Sequence, residues 1–354
     1  MKLLTTVTLA LFTALVLSLQ PVAYGEEVGR AEVTSLTMQG MKLSDDAAKK
    51  AEEQLQANPD DLSLRTKLLG YYFSNESADA RKVRQIHVLW IIEHRPEAAV
   101  LGLPYGQLDP ITDGEAFSQG KKLWLKHVTE KPENLNILGN AANYFLLWEA
   151  DTSEQLLQKA KALDPNNPDW SSRLGELYKL EMQRKPRDAK KNLAAKALAQ
   201  FENALRLSGD APDRSFLLQD TAKAALEASD LDKAKTYAEE VLKRAGSKED
   251  WNYGNAVHHG NLILGRIALR SGDVEKAKGF LLAAGNTPGS PQLNSFGPNM
   301  TLAKELLEKG EKDTVIKYLQ LCDKFWEMGH ERVKEWLAAI QAGGIPDFSS
   351  NLNY

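Results

Sequence analysis

The chain has 354 residues, and 43% of them are hydrophobic, which is enough for a sizeable buried core. Its formal net charge is −4 with both signs interspersed, and this excludes the basic composition that is typical of nucleic-acid-binding proteins. Cys322 is the single cysteine, so an intramolecular disulfide and a cysteine metal cluster are also excluded.

The N-terminus has the pattern of a secretory signal peptide over residues 1–25. Lys2 supplies a positive start, residues 3–19 form an apolar run, and Ala23 and Gly25 are small residues of the kind that a signal peptidase accepts. The run is shorter than the ~20 apolar residues that a membrane-spanning helix needs. We therefore expect a secreted or periplasmic protein that does not span a membrane after cleavage. An uncleaved N-terminal anchor is the alternative.

Residues 26–42 mix charged and small residues without helical periodicity, so we expect a flexible lead-in. Ser44-Asp45-Asp46 then predicts the start of a helix that ends at Asn58-Pro59. A pair of helices follows over residues 62–93. Residues 101–114 contain two prolines and three glycines, which is typical of a loop.

The clearest pattern lies in residues 261–285, which contain two short amphipathic segments separated by Gly272-Asp273. In each segment the apolar residues recur at steps of three and four, which predicts two helices that each bury one stripe. Asp273 is a suitable N-cap for the second helix. Such a helical hairpin cannot bury both stripes alone, so it needs similar hairpins as neighbours.

The spacing within this hairpin recurs along the chain. Taking Gly265 as an anchor, small or apolar residues follow after twelve, sixteen and nineteen residues, at Ala277, Leu281 and Ala284. The same steps lead from Ala303 to Val315, Leu319 and Cys322, from Ala222 to Ala234, Ala238 and Val241, and from Ala141 to Ser153, Leu157 and Ala160. From Gly175 the second half is displaced by ten residues, to Ala197, Phe201 and Ala204. A fainter copy begins at Gly70 and runs to Ile86 and Leu89.

These residues, together with the Leu-Gly-Glu-Leu-Tyr run at 174–178, resemble the tetratricopeptide repeat (TPR), a helix–turn–helix unit of 34 residues. The resemblance is faint over residues 62–95 and clear over 132–207 and 216–324. It departs from the family pattern at Trp170, which lies one place early. The anchor spacings also stretch to 47 and 43 residues, from Gly175 to Ala222 to Gly265.

The resemblance implies an all-α, right-handed superhelical solenoid of about six TPR-like helix pairs over residues 43–328. Residues 329–354 would supply a capping helix and a C-terminal tail. Within this segment Val333, Trp336, Leu337 and Ile340 share one face, and Phe348 and Tyr354 could dock back onto the fold. An irregular helical bundle without superhelical stacking is the alternative.

In tetratricopeptide proteins the first helix of each repeat lines a concave groove, and the positions three before and one after the anchor point inwards. Carried over to this chain, the groove residues are Lys67, Tyr71, Ser172, Glu176, Gln219, Lys223, Leu262, Arg266, Met300 and Lys304, with Arg270 one turn beyond Arg266. Lys223, Arg266 and Lys304 would form a row of cations ~10 Å apart, one helix diameter per step. Such a row suits an acidic or carboxylate-ended peptide. The alternative is a mixed charged lining, because Glu176, Glu227 and Glu308 lie close by.

No catalytic or cofactor-binding motif is present in the sequence, and we expect neither an enzyme nor a metal site. His258 and His259 are adjacent, so on a helix they diverge by about 100° and cannot both face one ion. The sequence therefore favours an exported, non-catalytic scaffold that binds a protein or peptide. An envelope enzyme or small-ligand binder that uses His258, His259 and the proline-rich segment 286–299 is the main alternative. A third is a structural subunit whose groove holds another copy of itself.

One further segment is unusual. Residues 181–192, Glu-Met-Gln-Arg-Lys-Pro-Arg-Asp-Ala-Lys-Lys-Asn, form a basic insertion between the two helices of one repeat. We interpret it as a solvated extension of those helices. The alternative is a surface clamp for an acidic partner.

Overall fold

The computed structural model describes residues 27–75, 77–209, 214–248 and 250–352. The predicted signal peptide and Tyr354 lie outside these residues. Throughout the described ranges the secondary structure is helical and includes no strand, which confirms the all-α prediction. Every helix in these ranges is too short or too polar to cross a bilayer. The chain divides into two compact units, of which unit 1 ends at Leu177 and unit 2 begins at Tyr178.

Within its described residues, unit 1 contains seven complete α-helices and most of an eighth, whose last residues belong to unit 2. Two 3-10 turns, Ala99–Gly102 and Pro104–Gly106, precede the fifth helix. The helices are α1 (Glu27–Gly40), α2 (Asp45–Ala57), α3 (Leu62–Ser74), α4 (Ala78–His94), α5 (Gly114–Glu130), α6 (Leu135–Phe145), α7 (Ala150–Leu163) and α8 (Pro168–Arg184).

Unit 2 contains the remaining described helices and two further 3-10 turns, Glu327–Gly329 and Ser349–Leu352. The helices are α9 (Arg187–Ser208), α10 (Arg214–Glu227), α11 (Leu231–Lys243), α12 (Tyr253–Arg270), α13 (Val274–Gly285), α14 (Pro291–Phe296), α15 (Thr301–Leu307), α16 (Lys312–Cys322) and α17 (His330–Gln341).

The prediction of a flexible lead-in over residues 26–42 is wrong, because α1 lies there and packs on α3. Thr37 is fully buried. A Cβ atom at Gly40 would collide with the Lys67 carbonyl, and one at Gly70 would collide with the Thr37 carbonyl. The two backbones therefore touch where only glycine fits. A contact between two backbones leaves no apolar periodicity in the sequence, and α1 lacks a strong apolar stripe, so the helix was not predicted.

The predicted loop over residues 101–114 is non-helical apart from its 3-10 turns, but it is packed against the rest of unit 1. Leu101 and Leu108 are buried. The Arg84 guanidinium on α4 donates to the Gln107 carbonyl oxygen at 2.7 Å and forms an ion pair with Asp113 at 3.1 Å. These bonds satisfy the backbone and carboxylate groups that the loop buries.

The repeated spacing predicts the buried side chains of five hairpins. In each of the copies anchored at Ala141, Gly175, Ala222, Gly265 and Ala303, the three following positions are at most 2% exposed. This confirms that each copy buries the predicted stripe. The pair of helices predicted over residues 62–93 is confirmed by α3 and α4. The burial expected from the sixth copy, anchored at Gly70, is wrong, because Ile86 is 64% exposed. Gly70 serves the crossing with α1, so it does not anchor a hairpin like the others.

Three consecutive hairpins of unit 2 share one turn. The residue seven places after each anchor has a positive φ angle: 66° at Ser229, 82° at Gly272 and 89° at Gly310. In each turn the next residue donates its backbone N–H to a carbonyl five residues earlier, an arrangement that closes a helix at its C-terminus. These bonds run from Asp230 to Ala225, from Asp273 to Ala268 and from Glu311 to Leu306.

The hairpins of unit 2 pack in succession. The first helix α10 contacts α11 and the next first helix, α12, which in turn contacts α13 and α15. The last hairpin, α15 with α16, is covered by α17, whose residues Val333, Trp336 and Ile340 are buried. Phe348 is fully buried against Trp336, with ring centroids 4.9 Å apart, which confirms that the tail docks through Phe348.

The shared turn predicts a gain and a loss of stability at equivalent positions. Ser229→Gly should raise the free energy of unfolding by about 1 kcal/mol, because glycine adopts a left-handed conformation without the strain that a Cβ atom causes. Gly272→Ser should lower the free energy of unfolding by a similar amount. A Cβ atom at Gly272 would meet no atom within 4 Å, so steric contact does not contribute. Urea denaturation tests both variants, and equal stability of the two would contradict the shared turn.

Candidate functional site

The predicted groove residues of unit 2 lie on three successive first helices. Gln219 and Lys223 are on α10, Arg266 and Arg270 are on α12, and Lys304 is on α15. Helix α10 contacts α12, and α12 contacts α15. The structure therefore places these residues on adjoining helices, as the repeat spacing predicts.

Arg266 is held between two carboxylates. Its Nη1 lies 2.7 Å from Glu227 Oε1 at the end of α10, and its Nη2 lies 3.1 Å from Glu305 Oε1 on α15. Burial lowers the pKa of the guanidinium, but the charges of Glu305 and Glu227 outweigh burial and raise that pKa above its ordinary value. Arg266 thus joins three first helices to one another.

Other cations on these helices also have partners. Lys179, at the unit 2 end of α8, lies 3.1 Å from Asp220 Oδ1 on α10. The Arg270 Nη1 donates to the Leu226 carbonyl oxygen at 2.6 Å, close to the C-terminus of α10. Lys304 lies 3.4 Å from Glu308, one turn further along the chain. The lining is therefore of mixed charge, in agreement with the alternative that Glu227 and Glu308 suggested, and it is not a row of unpaired cations.

Two predicted groove positions belong to the core. Leu262 is 5% exposed and Met300 is fully buried, so the prediction that they line a groove is wrong. The reason lies in contacts with distant parts of the chain. The Met300 N–H donates to the Asn351 carbonyl oxygen in the tail at 2.8 Å. Leu262 belongs to the apolar cluster that α13, α15 and α16 form. Gln219 is also buried.

The remaining predicted residues lie in unit 1. Lys67 is at the α1 crossing, and the Tyr71 hydroxyl donates to Asp45 Oδ1 on α2 at 2.7 Å. Both therefore contribute to packing among the first three helices. Ser172 is partly exposed on α8, and Glu176 is buried one turn further along.

Glu176 lines a concavity in unit 1 together with Asn143, Ser153 and Arg173. Its cavity volume is about 20 Å³. Ligand pockets typically occupy ~300–1,000 Å³, so this concavity is far too small for a cofactor or drug-sized ligand. The Arg173 Nη2 already donates to the Gly139 carbonyl oxygen at 2.6 Å. The concavity therefore offers room for little more than one side chain or a few water molecules.

His258, proposed as part of an alternative site, holds the backbone of segment 286–299. It is fully buried, its Nδ1–H donates to the Ala284 carbonyl oxygen, and its Nε2 accepts the Asn299 N–H, both at 3.1 Å. Burial lowers the pKa of His258 to about 4, and it also lowers the pKa of the neighbouring His259. Because both ring nitrogens of His258 are engaged, this imidazole is not arranged to transfer a proton or bind a metal.

Segment 286–299 packs on the N-terminal half of α12. The Ser290 hydroxyl donates to Asn255 Oδ1 at 2.7 Å, and the Asn255 amide donates to Gln292 Oε1 at 2.9 Å. The tail covers the other side, where the Asn351 amide donates to the Phe296 and Pro298 carbonyl oxygens. The segment is thus a packed connector between two hairpins.

A buried polar network in unit 1 was not predicted. The Arg65 Nη1 donates to His87 Nδ1 at 3.0 Å, and His87 Nε2–H donates to Glu52 Oε1 at 2.8 Å. Burial raises the pKa of Glu52, but its contacts with His87, Tyr72 and Arg65 together lower that pKa by more. These residues come from α2, α3 and α4, far apart in sequence, so spacing along one helix cannot reveal the network. Among the described residues, no three His, Cys, Asp or Glu side chains are grouped to hold a metal.

Comparison of the sequence with protein-family models finds no match, and a search of curated proteins finds none either.

The position of Arg266 predicts a specific loss of stability. Arg266→Met should lower the free energy of unfolding by about 1–3 kcal/mol, because Glu227 and Glu305 then lose their shared cation in a half-buried setting. Adding Glu227→Gln and Glu305→Gln should restore most of that loss. Lys304→Met removes a pair between half-exposed groups within one stretch of chain, so it should cost about 0.5 kcal/mol or less. Equal effects of Arg266→Met and Lys304→Met in urea denaturation would show that Arg266 does not join the helices.

Proposed function

We propose that this protein is a non-catalytic interaction scaffold in which TPR-like helix pairs stack as a right-handed solenoid. A protein or peptide partner binds along the exposed side of the first helices. The proposal rests on the five hairpins with a common pattern of burial and on the succession of contacts between first helices in unit 2. Hairpins that contact only their neighbours present a long surface in place of one enclosed pocket, and repeat proteins use such surfaces for binding.

The charges on that surface bear on the kind of partner. Arg266 already has two carboxylate partners, and Lys304 has one. An acidic peptide would have to displace these carboxylates or bind beside them. A partner with polar groups of both signs, recognised by its shape along several helices, therefore fits this lining better than a purely acidic one.

The pattern over residues 1–25 supports export, so the partner would be met outside the cytoplasm, in the bacterial envelope or beyond it. The engaged ring nitrogens of His258 and the packed state of segment 286–299 give no support to an active site at that place.

Photo-crosslinking in cells tests the proposal. A photo-reactive amino acid replaces Lys223 or Lys304 on the first helices, and, as a matched control, Lys235, an exposed lysine of the second helix α11. We expect a crosslinked partner from positions 223 and 304 and none from 235. Crosslinks to a second copy of the chain would instead indicate a self-associating structural subunit. Crosslinks of equal yield at all three positions, or at 235 alone, would contradict binding along the first helices.

A further inference from the structure

The hairpin formed by α8 and α9 is longer than the other hairpins. Ala197 follows its anchor Gly175 by 22 residues, whereas Ala277 follows Gly265 by 12. Helix α8 ends nine residues after its anchor, against five for α12, and α9 begins ten residues before Ala197, against three between the start of α13 and Ala277. At 1.5 Å per residue the additions are about 6 Å for α8 and about 10 Å for α9. Where the added length begins, α8 and α9 lie side by side, since the Lys196 ammonium lies 5.0 Å from the centre of the Tyr178 ring. The added length therefore forms a helical extension with residues 184–191 at its end.

Residues 184–191, which we call the basic tip, carry five cations and one acid in a chain whose formal net charge is −4. The side chains of Arg184 and Lys185 are 43% and 51% exposed, and Lys191 is exposed as well. Glu181 lies near both Arg184 and Lys185, at 3.2 and 3.9 Å. Even with this carboxylate included, residues 181–191 carry five cations and two acids, so the tip keeps a positive excess.

The composition and shape of the basic tip favour an anionic surface over a peptide as its partner. A peptide gains most of its affinity from apolar anchors in a concave site. The tip is the end of two helices, and its uncharged residues are Pro186 and Ala189, neither of which offers a large apolar side chain. A protruding group of cations without apolar anchors suits a broad anionic surface, which attracts each charge without requiring a shaped partner.

We propose that the basic tip docks on an anionic phospholipid surface. The attraction arises between the Lys and Arg side chains and the lipid phosphates, so it is reversible and weakens as salt screens the charges. This docking is independent of partner binding along the first helices, because it uses a different part of the molecule.

Sedimentation with vesicles tests the docking. Wild-type protein should bind vesicles that contain phosphatidylglycerol more tightly than vesicles of phosphatidylcholine alone, and ~1 M salt should abolish the difference. The variant Lys185→Gln/Lys190→Gln/Lys191→Gln should bind the anionic vesicles more weakly by about fivefold for each charge removed, or about 100-fold in all. The variant Lys235→Gln/Lys243→Gln/Lys248→Gln loses the same charge elsewhere in unit 2 and should bind like wild type.

The apolar run at residues 3–19 is the same in every variant, so differences between the variants report on the tip alone. Circular dichroism should show equal helix content in both triple variants. Equal binding of wild type and both variants, or no preference for anionic vesicles, would overturn the proposal. Binding to polyglutamate that depends on the tip, without binding to vesicles, would also overturn it and would assign the tip to an acidic protein.

Discussion

The close crossing of helices at a small anchor residue is the constraint on which the hairpins depend. At Gly265 an added Cβ atom would overlap Leu302 of α15 and lie 3.1 Å from Phe280 Cβ of α13. The same anchor thus lets a first helix touch its own second helix and the next first helix. Because the helices approach so closely, the side chains at the three following positions are removed from water almost completely, and this burial supplies the main favourable free energy of folding.

The same closeness determines the character of the exposed side of unit 2. Neighbouring first helices lie near enough for Arg266 to contact Glu227 and Glu305 at once. The charged side chains on this surface, which are the groups a partner would contact, therefore also join the helices to one another. The position of Arg266 was predictable from the repeat, but its partners were not. Each lies 39 residues away, and only the relative placement of three helices brings them together. The burial of Met300 was unpredictable for a similar reason, since its side chain belongs to an apolar cluster that includes the distant tail residue Phe348.

Five hairpins could be predicted because apolar and small residues at fixed spacing reveal which side chains a helix buries. In the first part of the chain helices α2, α3 and α4 were predictable, but the packing of α1 was not, because it depends on backbone contacts. Helix α1 lies against α3 through Thr37, Gly40 and Gly70, and none of these residues contributes to an apolar stripe. Since α1 uses Gly70, the expected partners of that glycine are not buried, and Ile86 is exposed.

The stability of two leucine variants within one hairpin tests the crossing most directly. Gly265→Leu places a large side chain where Leu302 and Phe280 already lie, so the free energy of unfolding should fall by about 1–3 kcal/mol. At Gly279, on the outer side of α13, an added Cβ atom would meet no atom within 4 Å. Gly279→Leu should therefore leave the free energy of unfolding unchanged or raise it slightly, because leucine favours helix more than glycine does. If urea denaturation gave the two variants the same stability, helix packing through a small anchor at Gly265 would be contradicted.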